Sequence, residues 1–189
     1  MKTKSIFIVT LVTVSWLLSN SFVFANSNKS ENSQERPSLT MAFYRTDSVL
    51  VVVPDASILT NMDKKVIESY VFWEKNQSEP VYTYKSESEV SKKDCKKHIL
   101  FYGSLNNFQR KDFLKIPVKK DNSGFRFGNQ VFNQPTDAFF YINESGTRMY
   151  VCKNSNKAKH EFLSIGTGGY PLHIFRGDNI VITGVYEQN

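Results

Sequence analysis

The stretch His98-Ile-Leu-Phe-Tyr-Gly-Ser-Leu-Asn-Asn-Phe108 decides the fold class that the sequence predicts. Its apolar run from Ile99 to Tyr102 indicates a buried strand, and Gly103 ends that run. Ser104 and the asparagines that follow are residue types that cap helices, so the stretch predicts a strand, a tight turn and a helix N-terminus. In a parallel-sheet protein, a turn of this kind faces the usual ligand crevice.

The residues before this stretch alternate in the same way between strand and helix. The β-branched run 48–53 predicts a strand that is buried on both faces. Apolar side chains at helical spacing predict a helix over 61–73, and a short strand follows at 81–84. Residues 86–97 and 107–114 are expected to form two further helices. The order β-α-β-α-β-α predicts an α/β fold with a three-layer, Rossmann-like or flavodoxin-like core and a mostly parallel sheet.

The second half of the chain has a pattern that is typical of antiparallel strands. Residues 125–132 alternate around a Gly-Asn pair that favours a hairpin turn. The apolar runs 138–142 and 148–152 are joined by another short link that contains glycine. A last helix is predicted over 156–165 and a last strand over 179–183. We therefore expect a β-hairpin embellishment on the second half of the α/β core.

Residues 1–25 have the three parts of a secretory signal peptide. Lys2 and Lys4 supply the positive charge, residues 6–18 the apolar region, and Val23-Phe-Ala25 the cleavage site. The apolar region is too short and too rich in hydroxyl groups to span a bilayer. We therefore predict cleavage after residue 25, a mature chain without a membrane span, and a secreted or periplasmic location.

Residues 26–40 are rich in Asn, Ser, Lys, Glu and Gln, and they cannot bury enough apolar surface to offset the entropy of ordering. We predict that they form a flexible leader, followed by a single α/β domain over 41–189. The whole chain has a formal net charge of +6 at pH 7. Its lysines form small clusters rather than one concentrated basic face, so we expect no nucleic-acid partner.

The two cysteines of the chain, Cys95 and Cys152, leave two alternatives open. In an oxidising compartment they could form a disulfide, which would contribute about 4 kcal/mol by the chain-entropy relation. Both also adjoin apolar runs, where a free cysteine behaves as a small hydrophobic residue. Their spacing matches no metal or redox motif, and the three histidines have no second ligand one helical turn away. We expect no metal and no cofactor.

Several segments together resemble a known type of domain. They are Phe72-Trp73, residues 88–94, the opening stretch, residues 125–132 and residues 175–184. In this combination the chain resembles a Rossmann-like or flavodoxin-like accessory domain of secreted bacterial proteins. Such domains are often attached to α/β-hydrolase or peptidase modules. The resemblance implies an accessory role beside a secreted or envelope protein, such as a hydrolase, and it supplies no catalytic residues.

The residue types permit two functions. A serine hydrolase needs a nucleophile beside a histidine base, and Ser104 and His173 are of the right types. The Gly-x-Ser-x-Gly elbow of such enzymes is not formed around Ser104, because that serine directly follows Gly103. Our first hypothesis is therefore a non-catalytic accessory or binding domain, and a small secreted serine hydrolase is the alternative.

The ligand-binding hypothesis depends on which strands are neighbours. If strands 48–53 and 98–102 are parallel neighbours, the loops that follow them share one edge of the sheet. The polar side chains of these loops could then line a small groove, and they belong to Asp55, Ser104, Asn106 and Asn107. The other interpretation is that these residues serve only turns and helix caps.

Overall fold

The computed structural model describes residues 46–71, 80–158 and 171–184. The predicted signal peptide, the leader up to residue 40, Trp73 and most of the helix predicted over 156–165 lie outside the described residues. The described residues contain one α-helix, α1 (Asn61–Val71), and ten strands. The strands are β1 (Ser48–Val53), β2 (Val81–Ser86), β3 (His98–Gly103), β4 (Lys119–Asp121), β5 (Gly124–Phe127), β6 (Gln130–Phe132), β7 (Asp137–Ile142), β8 (Arg148–Lys153), β9 (Leu172–Arg176) and β10 (Asn179–Gly184).

Seven strands form one mixed sheet in the order β10-β9-β7-β8-β3-β1-β2. On one side of β8 the pairings of β8 with β3, β3 with β1 and β1 with β2 are parallel. On its other side, the pairings of β8 with β7, β7 with β9 and β9 with β10 are antiparallel. Strands β4, β5 and β6 form a separate antiparallel sheet. The two predicted hairpins are confirmed, and β1 and β3 are parallel neighbours, which is the condition on which the predicted groove depended.

The predicted three-layer α/β fold with a mostly parallel sheet is wrong. Within the described residues the chain is mostly β-sheet, with three parallel and three antiparallel pairings in the large sheet. The helices predicted over 86–97 and 107–114 are replaced by isolated 3₁₀ turns at Glu87–Glu89, Asp94–Lys96, Leu105–Asn107 and Lys111–Phe113. The described residues therefore form neither an α/β fold nor a Rossmann-like one.

Buried Glu87 joins these two segments to each other by hydrogen bonds. Its carboxylate accepts hydrogen bonds from the backbone N–H groups of Gln109 and Arg110 at 2.8–3.0 Å. The Arg110 guanidinium in turn donates to the carbonyl oxygens of Glu87 and Val90. In a helix over 86–97 the Glu87 and Val90 carbonyl oxygens would accept from the helix's own i to i−4 ladder, so the Arg110 side chain competes with helix formation in that segment.

The two faces of the large sheet are covered differently. Helix α1 packs on one face, where buried Ile67 belongs to the same cluster as Val51 and Val151. The other face is covered by the 3₁₀ turns and the small sheet, and the ring of Phe125 meets that of Phe139 edge to face at 5.0 Å. Aromatic pairs of this kind add to the stabilisation by burial. Among the described residues, α1 covers one face where a helical layer was predicted, and the small sheet with the 3₁₀ turns covers the other.

Strand β9 was not predicted from the sequence. His173 and Arg176 interrupt its apolar pattern, so the segment lacks the continuous run or the clean alternation that identifies a strand. The structure buries His173 and pairs Arg176 with the buried carboxylate of Asp137 at 3.0 Å.

No helix among the described residues is long and apolar enough to cross a membrane.

Candidate functional site

A cavity of about 390 Å³ opens at the carboxyl ends of the parallel strands β1, β3 and β8. Residues 57–60, in the loop between β1 and α1, form one wall, and residues 153–156, at and after the end of β8, form another. Ser104 and Asn107 follow β3 and line the space between them. The cavity therefore lies at the edge of the sheet where parallel-strand proteins hold ligands.

Gly103 lets the ends of β1 and β3 approach each other at this edge. Its φ of +142° lies in the region that favours glycine, and a Cβ atom placed there would lie 2.9 Å from the Cδ atom of Pro54. A residue with a side chain would push the β3 end away from the β1 end. The glycine that ends the apolar run 99–102 thus allows the close spacing of the β1 and β3 ends at the cavity.

Three side chains form a connected polar group at the cavity, and we call Asp63, Tyr102 and Lys153 the Lys153 cluster. The Nζ atom of Lys153 donates to the Tyr102 hydroxyl at 3.0 Å, and that hydroxyl donates to Oδ1 of Asp63 at 2.9 Å. The Lys153 Nζ and Asp63 Oδ1 atoms are 3.5 Å apart. The Lys153 side chain is only 8% exposed, although the residue lines the cavity.

Local sequence places Asp63 in the Lys153 cluster. The Asp63 backbone N–H donates to Oγ1 of Thr60, while Oδ2 of Asp63 accepts from the backbone N–H and the hydroxyl of Thr60. This reciprocal arrangement is a capping box at the start of α1. The carboxylate therefore stabilises the helix N-terminus with one oxygen and joins the cluster with the other.

The charges of the Lys153 cluster are linked. Partial burial alone would raise the pKa of Asp63, but hydrogen bonds from Thr60 and Tyr102 and the charge of Lys153 outweigh it and lower that pKa to about 2. Burial lowers the pKa of Lys153, and the nearby Asp63 carboxylate opposes that shift. The lowered pKa of Asp63 favours an ionised carboxylate, whereas the lowered pKa of Lys153 favours a neutral amine. We take the pair as ionised at neutral pH, because the Tyr102 and Asp63 oxygens both face the ammonium group.

Two of the four predicted groove residues line the cavity, namely Ser104 and Asn107. Asp55 does not, because its Oδ1 atom accepts a hydrogen bond from the Ser88 backbone N–H at 2.9 Å. Asn106 turns away as well, and its side chain donates to the Asp121 carbonyl oxygen at 2.8 Å. Asp55 and Asn106 therefore serve connections between loops, as the second interpretation of these residues expected.

Sequence reasoning missed all three members of the Lys153 cluster. The capping-box spacing Thr60-Asn-Met-Asp63 before an apolar run is a recognisable signal for Asp63. A lysine that directly follows four buried residues of β8 is a second signal, because lysine is almost never fully buried without a partner. The pairing of Lys153 with Tyr102 could not be predicted from the spacing of residues along the chain, because it depends on β8 lying beside β3.

The alternative hydrolase requires Ser104 and His173 to meet, and the structure does not bring them together. His173 lies on β9, where its Nδ1 atom is 3.1 Å from the Thr183 hydroxyl. Strands β7 and β8 separate β9 from β3. Three strand spacings of about 4.8 Å place the two residues roughly 14 Å apart across the sheet. A histidine at that distance cannot take a proton from the Ser104 hydroxyl.

Both cysteines are free thiols in the structure. Cys152 is buried in β8 opposite Phe139, and burial raises the pKa of its thiol. Cys95 is half-buried and packs at the margin of the same core cluster. The structure therefore shows the free alternative for both residues. Within residues 46–71, 80–158 and 171–184, no group of three His, Cys, Asp or Glu side chains could hold a metal ion.

Comparison with known proteins gives no family for the chain. No protein-family model, curated protein or solved structure matches it. We therefore infer function from the geometry of the cavity and from the sequence signals around it.

Proposed function

We propose that the chain is a secreted or periplasmic, non-catalytic binding module whose ligand occupies the cavity at the carboxyl ends of β1, β3 and β8. The observation that carries this proposal is the position of Lys153, whose side chain is about nine-tenths buried and still lines the cavity. Burying a lysine is costly, and apolar residues of similar volume would stabilise a core at least as well. A buried, paired lysine at a cavity is thus better explained by a ligand than by stability.

The remaining parts of the proposal rest on the sequence. Residues 1–25 support secretion, because they combine basic residues, an apolar region and a small-residue cleavage site. The accessory role and a secreted or envelope partner, such as a hydrolase, rest only on the sequence resemblance of Phe72-Trp73 and residues 88–94, 98–108, 125–132 and 175–184, and not on the Rossmann-like fold that this resemblance implied. Cell fractionation tests the location, and we expect the recovered chain to begin at Asn26. Recovery of the chain from the cytoplasmic fraction with residues 1–25 still attached would contradict secretion.

Binding is tested by screening the full chain, recovered after export, against pools of small polar metabolites with ligand-observed NMR. The variant Lys153→Met removes the ammonium group, and Lys92→Met removes an exposed charge that does not line the cavity. We expect at least one ligand whose affinity falls tenfold or more in Lys153→Met and stays unchanged in Lys92→Met.

Circular dichroism of both variants separates lost binding from lost folding. Should Lys153→Met fail to fold, Ser104→Ala provides the same comparison, because Ser104 lines the cavity and its side chain makes no hydrogen bond within the described residues. The proposal is wrong if no ligand binds, or if every ligand binds the cavity variants as tightly as the wild-type chain.

A further inference from the structure

The charges that line the cavity favour an anionic ligand. Lys153 is the one cation and Asp63 the one acid among the described lining residues. Asp63 already accepts two hydrogen bonds from Thr60 and one from Tyr102. It also caps α1, whose N-terminus carries a partial positive charge that offsets part of the carboxylate charge. The formal charges of Lys153 and Asp63 cancel among the described lining residues, so the small positive excess comes from the α1 N-terminus, and the Lys153 ammonium is the one full positive charge that an anion could contact.

The number of cations distinguishes between classes of anion. A phosphate dianion is usually held by several charged groups or by an arginine fork, because its two charges must both be compensated. Here a single ammonium group is present among the described lining residues, together with neutral hydroxyl and amide groups. One cation with neutral donors matches a monoanion such as a carboxylate, which carries one charge on two acceptor oxygens.

Neutral donors are available for the second carboxylate oxygen. Ser57, Ser104 and Asn107 line the cavity, and none of their side chains has a hydrogen-bond partner within residues 46–71, 80–158 and 171–184. The Lys153 ammonium has three N–H groups and two described acceptors, of which Asp63 lies at the longer distance of 3.5 Å. At least one ammonium proton and several neutral donors therefore remain for a ligand.

The mouth of the cavity is apolar on the side of α1. Ile58 lines the cavity and is 92% exposed, and Met62 in the first turn of α1 is 66% exposed. Met62 is not among the residues that line the cavity, whereas Leu59, which directly follows Ile58, is. A single exposed apolar residue needs no explanation, but two adjacent apolar residues that line a polar cavity favour a ligand with an apolar portion.

We propose that the ligand of this cavity is a small organic carboxylate with a short apolar chain, held by Lys153 and the neutral donors around it, with its chain against Ile58 and Leu59. This inference rests on the proposed binding function and specifies its ligand. The cavity volume of about 390 Å³ suits it, because that volume lies at the small end of the range for ligand pockets.

The test is an NMR titration of the full chain with acetate, butanoate and hexanoate, together with hexan-1-ol and inorganic phosphate. We expect affinity to rise about two- to fourfold for each added methylene, because part of the chain leaves water at the mouth. Hexan-1-ol and phosphate should each bind at least tenfold more weakly than hexanoate. Equal binding of hexanoate and hexan-1-ol, of hexanoate and phosphate, or of hexanoate and acetate would overturn the proposal.

Two substitutions distinguish contacts with the carboxylate group of the ligand from contacts with its alkyl chain. Ile58→Ser should weaken hexanoate about threefold or more and leave acetate unchanged, whereas Lys153→Met should weaken both acids tenfold or more. Because Ile58 is almost fully exposed, its substitution should preserve the fold even if Lys153→Met does not. If no acid binds but the metabolite screen yields another ligand that depends on Lys153, the carboxylate proposal fails and the binding function stands. If nothing binds through Lys153, both fail.

Discussion

Asp63 links helix formation to the candidate site at the scale of a single residue. One carboxylate oxygen completes the capping box with Thr60, and the other accepts the Tyr102 hydroxyl that orients Lys153. A substitution at Asp63 therefore changes both the start of α1 and the position of the ammonium group. Lys153 does not cap a helix, so Lys153→Met reports on the cavity more directly than a substitution at Asp63 does.

The pH dependence of stability should reveal the Asp63 contribution. Its pKa is lowered from 3.8 to about 2 in the folded chain, so folding favours the ionised form. The contribution is complete above the unfolded pKa near 4 and is lost as pH falls towards 2. We expect Asp63→Asn to be less stable than wild type at pH 6, and this difference to shrink by about 1 kcal/mol by pH 2.5, since the carboxylate is only partly buried.

Urea unfolding of both proteins at pH 6, 4 and 2.5 measures this difference. Asp47→Asn is the matched control, because Asp47 is an exposed acid outside the cavity. A constant gap between wild type and Asp63→Asn across the three pH values would show that the Asp63 charge does not stabilise the fold.

At the scale of elements, Glu87 holds the segment after β2 to the segment after β3. Its side chain is 1% exposed and accepts the backbone N–H groups of Gln109 and Arg110. The partners are 22 and 23 residues away along the chain, which is why local patterns could not identify them. The local sequence patterns of residues 86–97 and 107–114 suggested two helices. In the structure, backbone groups of each segment instead form hydrogen bonds with side chains of the other segment.

Removing this carboxylate should destabilise the fold by about 3 kcal/mol, because Glu87→Ala removes a buried charged acceptor and leaves the partly buried N–H groups of Gln109 and Arg110 without their partner. Urea unfolding gives the loss, and hydrogen exchange should show faster exchange at the Gln109 and Arg110 amides. Glu89→Ala is the control, since Glu89 is exposed and caps only its own turn through the Ser86 backbone N–H. A Glu87→Ala variant as stable as Glu89→Ala would contradict this role.

At the scale of the whole molecule, the sequence predicted strands better than layers. Runs of β-branched and aromatic residues located β1 and β3, and turn residues located the hairpin of β7 and β8. The carboxyl-edge rule then placed Ser104 and Asn107 correctly at the cavity. The prediction of helical layers was wrong. A connection between parallel strands need not be an α-helix when side chains from distant segments form hydrogen bonds with its backbone N–H and C=O groups.

Lys153 could not be connected to Tyr102 by the same reasoning. Pairing of β8 with β3 places Tyr102 opposite Val151 and Gly103 opposite Cys152, so Lys153 follows at the edge beside the tyrosine. The sequence suggested that β8 pairs with β7 but contained no local sign of its second neighbour. Long-range strand order therefore limits prediction of the site more than secondary structure does.

The two-sided pairing of β8 has a consequence for how the chain folds. Its antiparallel partner β7 is only a short turn away, whereas its parallel partner β3 ends 45 residues before β8 begins, at Gly103 against Arg148. Closing the longer loop costs more entropy before any contact forms. We expect the amides of β7 and β8 to gain protection before those of β1 in pulsed hydrogen exchange during refolding, and the reverse order would contradict this. The cavity would then be completed last, when β3 docks beside a preformed hairpin and brings Tyr102 to Lys153.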